Sequence, residues 1–145
     1  MASMGERLWR AGNKAAVWVY RRTGGRLGGK AKGGSPVLLL TVPGRKSGQP
    51  HTVPIAYALK DGAYYLAATA GGSPTEPQWI RNLRATHSAT IEVGSTKHAV
   101  EVEVLRGAER DTAWKEVIIA AYPFFADYET KSGRKIAVAR VTPTA

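Results

Sequence analysis

The chain of 145 residues contains no cysteine. Disulfides, thiolate metal centres and cysteine nucleophiles are therefore excluded. Its histidines, His51, His87 and His98, show no metal-ligand spacing. His98 falls on the apolar face of a strand and is expected to be buried and structural. No serine stands in a glycine-framed nucleophile turn. The sparse carboxylates fall on helix or strand exteriors, so no acid/base pair suggests itself. No stretch approaches the ~20 apolar residues of a spanning helix. The apolar run 15–20 is too short for a signal core and runs into Arg21-Arg22. Acidic residues are also scarce: 11 Asp and Glu stand against 21 Lys and Arg, for a net charge of +10. Such a surplus suits an anionic ligand, a nucleic acid or an anionic membrane surface. The simplest expected location is cytoplasmic. If the chain is an enzyme, a cofactor must carry the chemistry.

What is present fits one folded domain with a real core, since 43% of the residues are apolar. Residues 5–22 read as a basic amphipathic helix. Leu8, Ala11, Ala15, Trp18 and Val19 fall on one face, and Arg7, Arg10, Lys14 and Arg21 lie mostly elsewhere. Such a helix either packs on its own domain or lies on a membrane. Residues 24–34, GGRLGGKAKGG, read as a flexible basic linker. Gly24-x-x-x-x-Gly29-Lys30 comes near a P-loop, but Ala31 replaces the magnesium-binding hydroxyl and a helix, not a strand, precedes it. The linker is therefore not a nucleotide site. This divides the chain into 1–34, helix and linker, and 35–145, the main domain.

From Pro36 the period changes to that of strands. Segments 37–42, 53–59, 64–69, 89–93, 98–105 and 136–141 read as strands, with Asp61-Gly62 and Gly94-Ser95 as hairpin turns. Thr75 to Gln78 reads as a capping box before a short helix carrying Trp79, Ile80 and Leu83 inward. Residues 108–122 read as a helix with Ala113, Trp114, Val117, Ile118 and Ala121 in one stripe, broken by Pro123. A short aromatic-rich turn follows. The fold class is mainly β with helices (α+β): about six antiparallel strands closing into a small barrel with helical trimmings.

Three constellations stand out. Gly44-Arg45-Lys46-Ser47-Gly48 joins two strands with a guanidinium, an ammonium, a hydroxyl and glycines that let backbone amides approach an anion. The alternative is a solvated hairpin tip. Ala67-Ala68-Thr69-Ala70-Gly71-Gly72 ends a strand in small residues, against which a flat ring can lie. Trp79 and Asn82 follow, one to line a ring and one to bond a heterocycle edge, unless Trp79 is simply core. Tyr122, Phe124, Phe125 and Tyr128 crowd a corner after Pro123, either capping a pocket or plugging the barrel end.

With LLLTVPGRKSGQPHTVPI, YYLAATAGGSPTEPQWIRNL and AAYPFFADYETKSGRKIAVARV in hand, the chain resembles the deazaflavin-dependent nitroreductase family, actinobacterial enzymes that use coenzyme F420. The resemblance covers about 18–141. It implies a split β-barrel binding reduced F420, with hydride transfer to an electrophile: a quinone, an enone or a nitroaromatic. It places Arg45, Lys46, Ser47 and Gly48 at the phosphate-bearing tail. His51, Thr52, Val53, Pro54, Ile55 and Ala56 lie along the cofactor. Ala67, Ala68, Thr69 and Ala70 face the deazaflavin, and Gln78, Trp79, Ile80, Arg81 and Asn82 complete the wall. Phe125 joins these, with Tyr122 and Tyr128 on the substrate and proton side. No metal is implied. Some family members carry lysine at the position of Ala70 and serine at that of Thr69, and the best-known nitroreductases have tyrosine where Ala56 and Phe125 stand, so specific nitroimidazole activation does not follow from the resemblance. FMN is the alternative cofactor, and a carrier without turnover the alternative function. A nucleic-acid module is disfavoured because Trp79, Trp114 and the apolar strands read as interior. Peripheral membrane contact through the N-terminal helix would bring the protein near lipophilic quinones.

Overall fold

The computed structural model describes residues 4–144, with the backbone alone for 4–11 and 32. The sequence-predicted face residues Leu8 and Ala11, and the cations Arg7 and Arg10, thus have side chains outside the described residues. Strands β1 (Val37–Pro43), β2 (Pro50–Lys60), β3 (Ala63–Ala67), β4 (Ser88–Val93), β5 (Thr96–Val104) and β6 (Val138–Pro143) form a closed antiparallel barrel in the order β1-β2-β3-β6-β5-β4. This is the expected split barrel. Helices α1 (Met4–Thr23), α2 (Gln78–Arg84), α3 (Gly107–Ala113) and α4 (Phe125–Ser132) surround it.

The apolar run in β1 reflects burial on both faces. Leu38, Leu40 and Val42 point into the barrel with Ile55, Leu66, Ile91, Val100, Ala139 and Val141, and Ile80 and Leu83 of α2 join this core. Val37 and Leu39 point outward, under Val17 and Tyr20 of α1. Burying each such side chain contributes roughly 1.5–3 kcal/mol. A third cluster forms where Ala58, Ala67 and Val138 meet Trp114, Ile118 and Phe125.

α1 packs on its own domain. Tyr20, 2% exposed, donates its hydroxyl to the Val37 carbonyl (2.9 Å) and accepts the Gly94 N–H (2.8 Å). Arg21 forks onto both Glu92 carboxylate oxygens at 3.0 and 2.7 Å. The basic linker is no free tether. Gly25 N–H bonds the Tyr20 carbonyl at 2.9 Å, and Val37 N–H bonds the Gly29 carbonyl at 2.9 Å. A Cβ at Gly29 would sit 2.0 Å from the Gly25 carbonyl oxygen, so its glycines are there for compactness.

Other local expectations change. α2 has Pro77 as its N-cap and no side-chain cap, so the capping box is absent. Glu76 instead pairs with Arg84, whose Nη2 lies 3.1 Å from Oε2. The helix from α3 continues as a π segment, Trp114–Ile119. Its wider turn shifts the buried stripe, and Ala121 is exposed. The aromatic segment after Pro123 is not a turn but the helix α4, stopped by Gly133 at φ 67. His98, paired with Ile91 across the ladder, is half-buried rather than buried.

Candidate functional site

The basic turn is tightly built. Gly48 N–H bonds the Gly44 carbonyl (2.8 Å), and Gly44 N–H bonds that of Gln49 (2.9 Å). A Cβ at Gly44 would come within 2.8 Å of Ser47 Oγ and 2.9 Å of His51 Nε2. Glycine therefore lets the hydroxyl and the imidazole close over the turn. Arg45 is not a free fork. Its backbone N–H and its Nη1 both donate to Asn82 Oδ1, at 3.1 and 2.8 Å, and Nη2 donates to Gln78 Oε1 at 2.8 Å. Asn82 is 6% exposed. The Oδ1 expected at a heterocycle edge is thus occupied by Arg45, and Asn82 fastens the turn to α2. Lys46, Ser47 and Gly48 remain exposed at the tip.

Along β2, His51 is exposed, while Thr52, Val53, Pro54 and Ala56 are half-buried. Thr52 Oγ1 pairs with Thr41 Oγ1 at 2.7 Å. The side chains of Ile55, Ala68 and Ile80 are buried in the barrel core, and Ala67 is buried in the cluster beneath α3 and α4. The side chains at these four positions belong to the core, which leaves their backbone as the part nearest the surface. Thr69 and Ala70 reach the surface. Trp79 is half-buried against the core, and Arg81 lies 3.6 Å from Glu76. A groove of about 990 Å³ runs between α1 and the start of β2. Lys14, Trp18 and Arg22 line one wall, and His51, Thr52 and Val53 the other.

The aromatic corner is a packed cluster. Phe125 is buried, with ring centroids 5.3 Å from Tyr122, 5.0 Å from Phe124 and 5.4 Å from Tyr128. Tyr122 donates its hydroxyl to the Tyr57 carbonyl at 2.6 Å. Burial raises its pKa, so the phenol keeps its proton at neutral pH. Ala56 packs against both this cluster and the α1 cluster.

Sequence reasoning missed the braces behind these parts. Arg134 bonds the carbonyls of Thr69 (3.1 Å) and Ser73 (3.0 Å), and Lys131 reaches that of Gly71 (3.5 Å). The aromatic corner and the end of β3 are therefore joined through α4. The available signal was the Ser-Gly-Arg-Lys run, a helix stop followed at once by cations. The α1 wall of the groove was visible only as an amphipathic helix with no assigned seat.

Comparison with known proteins bears on what this surface holds. The model of the F420H2-dependent quinone reductase family matches residues 13–143. An F420H2-dependent quinone reductase of Mycobacterium tuberculosis is 33% identical over 126 residues, covering 86% of this chain and 85% of its own. A solved F420H2-dependent reductase is 34% identical with a TM-score of 0.64, over 73% of this chain and 93% of that one. A second solved structure, described as a domain-swapped dimer, is 30% identical with a TM-score of 0.67, over 88% and 94%. The fold and the matched span agree: this chain belongs to the F420H2-dependent quinone reductase family.

Proposed function

We propose that the tail of reduced F420 is held at the basic turn, and its ring at the end of β3, so that a quinone-type acceptor is reduced beside the aromatic corner. The observation that carries this reading is the clamp of Arg45 on Asn82 and Gln78. It joins the turn and α2 into one wall, with Lys46 and Ser47 exposed beside it. This donor set fits the group: the Lys46 ammonium and the Ser47 hydroxyl suit a phosphodiester and carboxylate tail. The small surface at Thr69 and Ala70 suits a flat ring. His51, Thr52, Pro54, Ala56, Trp79 and Arg81 complete the wall.

When bound, the reduced deazaflavin supplies a hydride. The chain's own groups bind, orient and exclude water. Arg45 needs little reorganisation, because its guanidinium is already fixed. Tyr122 spends its proton on Tyr57 and so fixes the corner. Tyr128 stands in the same ring cluster, 5.4 Å from Phe125, and it or solvent supplies the proton beside the acceptor. Enones and nitroaromatics are electrophiles of the same kind and remain alternative acceptors.

Titration of F420 by fluorescence tests the tail placement. Arg45→Ala combined with Lys46→Ala should weaken binding by at least about tenfold, the size of one or two lost charge-assisted bonds. The melting temperature should fall by several degrees, as expected for loss of the Arg45 bonds to Asn82 and Gln78, with the fold retained. Unchanged affinity in this double variant would place the tail elsewhere.

A peripheral membrane contact belongs to the same reading. Trp18 is 66% exposed and Leu27 61%. Both lie near Lys14, Arg22 and Arg26 in sequence. This is an amphipathic surface suited to anionic headgroups, and it would bring lipophilic quinones close.

A further inference from the structure

The loop that leaves β3 has an uncommon shape. Thr69 is right-handed helical (φ −75, ψ −35). Ala70, Gly71 and Gly72 then follow at φ 46, 65 and 86. Left-handed backbone costs a residue with a Cβ roughly 1–2 kcal/mol. Ala70 therefore stays there because neighbouring contacts hold it.

The loop holds itself in part, since Gly72 N–H bonds the Thr69 carbonyl (2.9 Å) and Ser73 N–H that of Ala70 (3.2 Å), and further contacts come from the end of α4. Arg134 donates Nε to the Ser73 carbonyl (3.0 Å) and Nη2 to the Thr69 carbonyl (3.1 Å). Lys131 lies along Gly72, where a Cβ would come within 2.8 Å of its Cδ. Arg134 is itself aimed. Ser132 Oγ accepts its N–H and donates to its carbonyl, both at 3.2 Å. This arrangement is expensive. Arg134 Nη1 is buried with no hydrogen-bond partner among the described residues. Burial also pulls the guanidinium below its ordinary pKa, and the nearby Glu76 is already paired with Arg84. A desolvated guanidinium spent on two neutral carbonyls is a weak way to gain stability. What it adds is a second hold, beside the Gly72 N–H, on the direction of one peptide. No peptide bond here is cis. In a trans peptide the C=O and N–H point opposite ways. Drawing the Thr69 carbonyl toward α4 turns the Ala70 N–H away from it.

We propose that Arg134 is a positioning residue for the cofactor, pinning the Thr69–Ala70 peptide so that the Ala70 N–H is presented to an acceptor atom on the edge of the deazaflavin ring. The inference rests on the reading that Thr69 and Ala70 face that ring. Arg134 touches no ligand and acts through the backbone alone.

The test uses the full chain with Arg134→Gln, Arg134→Lys, Thr69→Leu and Arg110→Gln. Arg110 is the control: a buried arginine, bonded to the Ile136 carbonyl and to Glu129, that touches no residue assigned to the site. Each variant is measured for F420 affinity by fluorescence, for KM of F420H2 and kcat with a quinone, and for melting temperature. Arg134→Gln should weaken F420 binding about tenfold, the size of one lost hydrogen bond, and raise KM alike. Its kcat should change by less than about threefold, since binding and not the chemical step is affected. Arg134→Lys, which can reach one carbonyl, should fall between Arg134→Gln and the unaltered chain. Arg110→Gln should lower the melting temperature yet leave affinity within about twofold of the unaltered chain. If Arg134→Gln does not fold, the intermediate affinity of Arg134→Lys decides. Affinity untouched in the Arg134 variants overturns the proposal. So does affinity that simply tracks melting temperature across the Arg134 and Arg110 variants. Thr69→Leu separates the two levels. Normal F420 binding there overturns the ring placement and the inference together. Binding lost in Thr69→Leu but kept in Arg134→Gln overturns the inference alone.

Discussion

Asn82 is a buried amide whose Oδ1 holds both the backbone and the side chain of Arg45. Asn82→Ala would leave a part-buried N–H and a cation without this partner, at about 1–3 kcal/mol. Denaturant melts should show that loss, and F420 titration should show a drop in affinity as Arg45 is released. Asn82→Asp separates the two effects. A carboxylate keeps or strengthens the bond to Arg45, so stability should hold, but it adds a negative charge beside the proposed anion site and should still weaken F420 binding. Equal binding by Asn82→Asp and the unaltered chain would remove the anion from this turn. Residue types were readable in the sequence here, and residue partners were not. Arg45 and Asn82 each announced a polar role, yet nothing in the one-dimensional order said they would meet. Ile55, Ala68 and Ile80 read as wall residues because they stand in the segments that carry the proposed wall. Only the closed barrel shows that their side chains point inward.

At the scale of elements, α2 carries its own pH limit. The Arg84 hydrogen bond holds the Glu76 carboxyl below its ordinary range, with Arg81 and Arg134 adding to the effect. Because the folded value is the lower one, the pairing favours the fold throughout the range above the ordinary carboxylate pKa. It is lost as pH falls through the depressed value. Melting temperature against pH should therefore show Glu76→Gln less stable than the unaltered chain at pH 7. The two should converge once the pH has fallen below the depressed Glu76 value, where both side chains are neutral. A constant gap at all pH values would mean that the pairing contributes nothing. Strand positions were legible because period-two patterns and Asp-Gly turns are local signals. The hairpin at Asp61 and Gly62, with φ 52 and 79, is such a case. α4 was not legible, because a run of aromatics after proline hides ordinary helix formers such as Ala126, Glu129 and Lys131. The π segment was also out of reach, since its wider turn follows from packing on β2 and β3.

For the whole molecule, the charge surplus and the exposed Trp18 and Leu27 bear on location. No helix among the described residues is long and apolar enough to cross a membrane. Co-sedimentation with phosphatidylglycerol vesicles at low salt should retain the protein, and phosphatidylcholine vesicles should not. Trp18→Ser with Leu27→Ser should release at least about half of it, as should raising the salt to about 0.5 M. No retention on anionic vesicles would end the membrane reading. The closed barrel and the family were both legible in the order of segments. The seating of α1 was not, because its hydrogen-bond partners lie far along the chain. Tyr20 bonds residues 17 and 74 positions downstream. That span has a consequence for biogenesis. The N-terminal helix leaves the ribosome first, but half of its socket, the turn at Gly94, is synthesised only after nearly two-thirds of the chain. Until then the buried Tyr20 hydroxyl lacks the Gly94 N–H, so the segment that is made earliest must be among the last to settle.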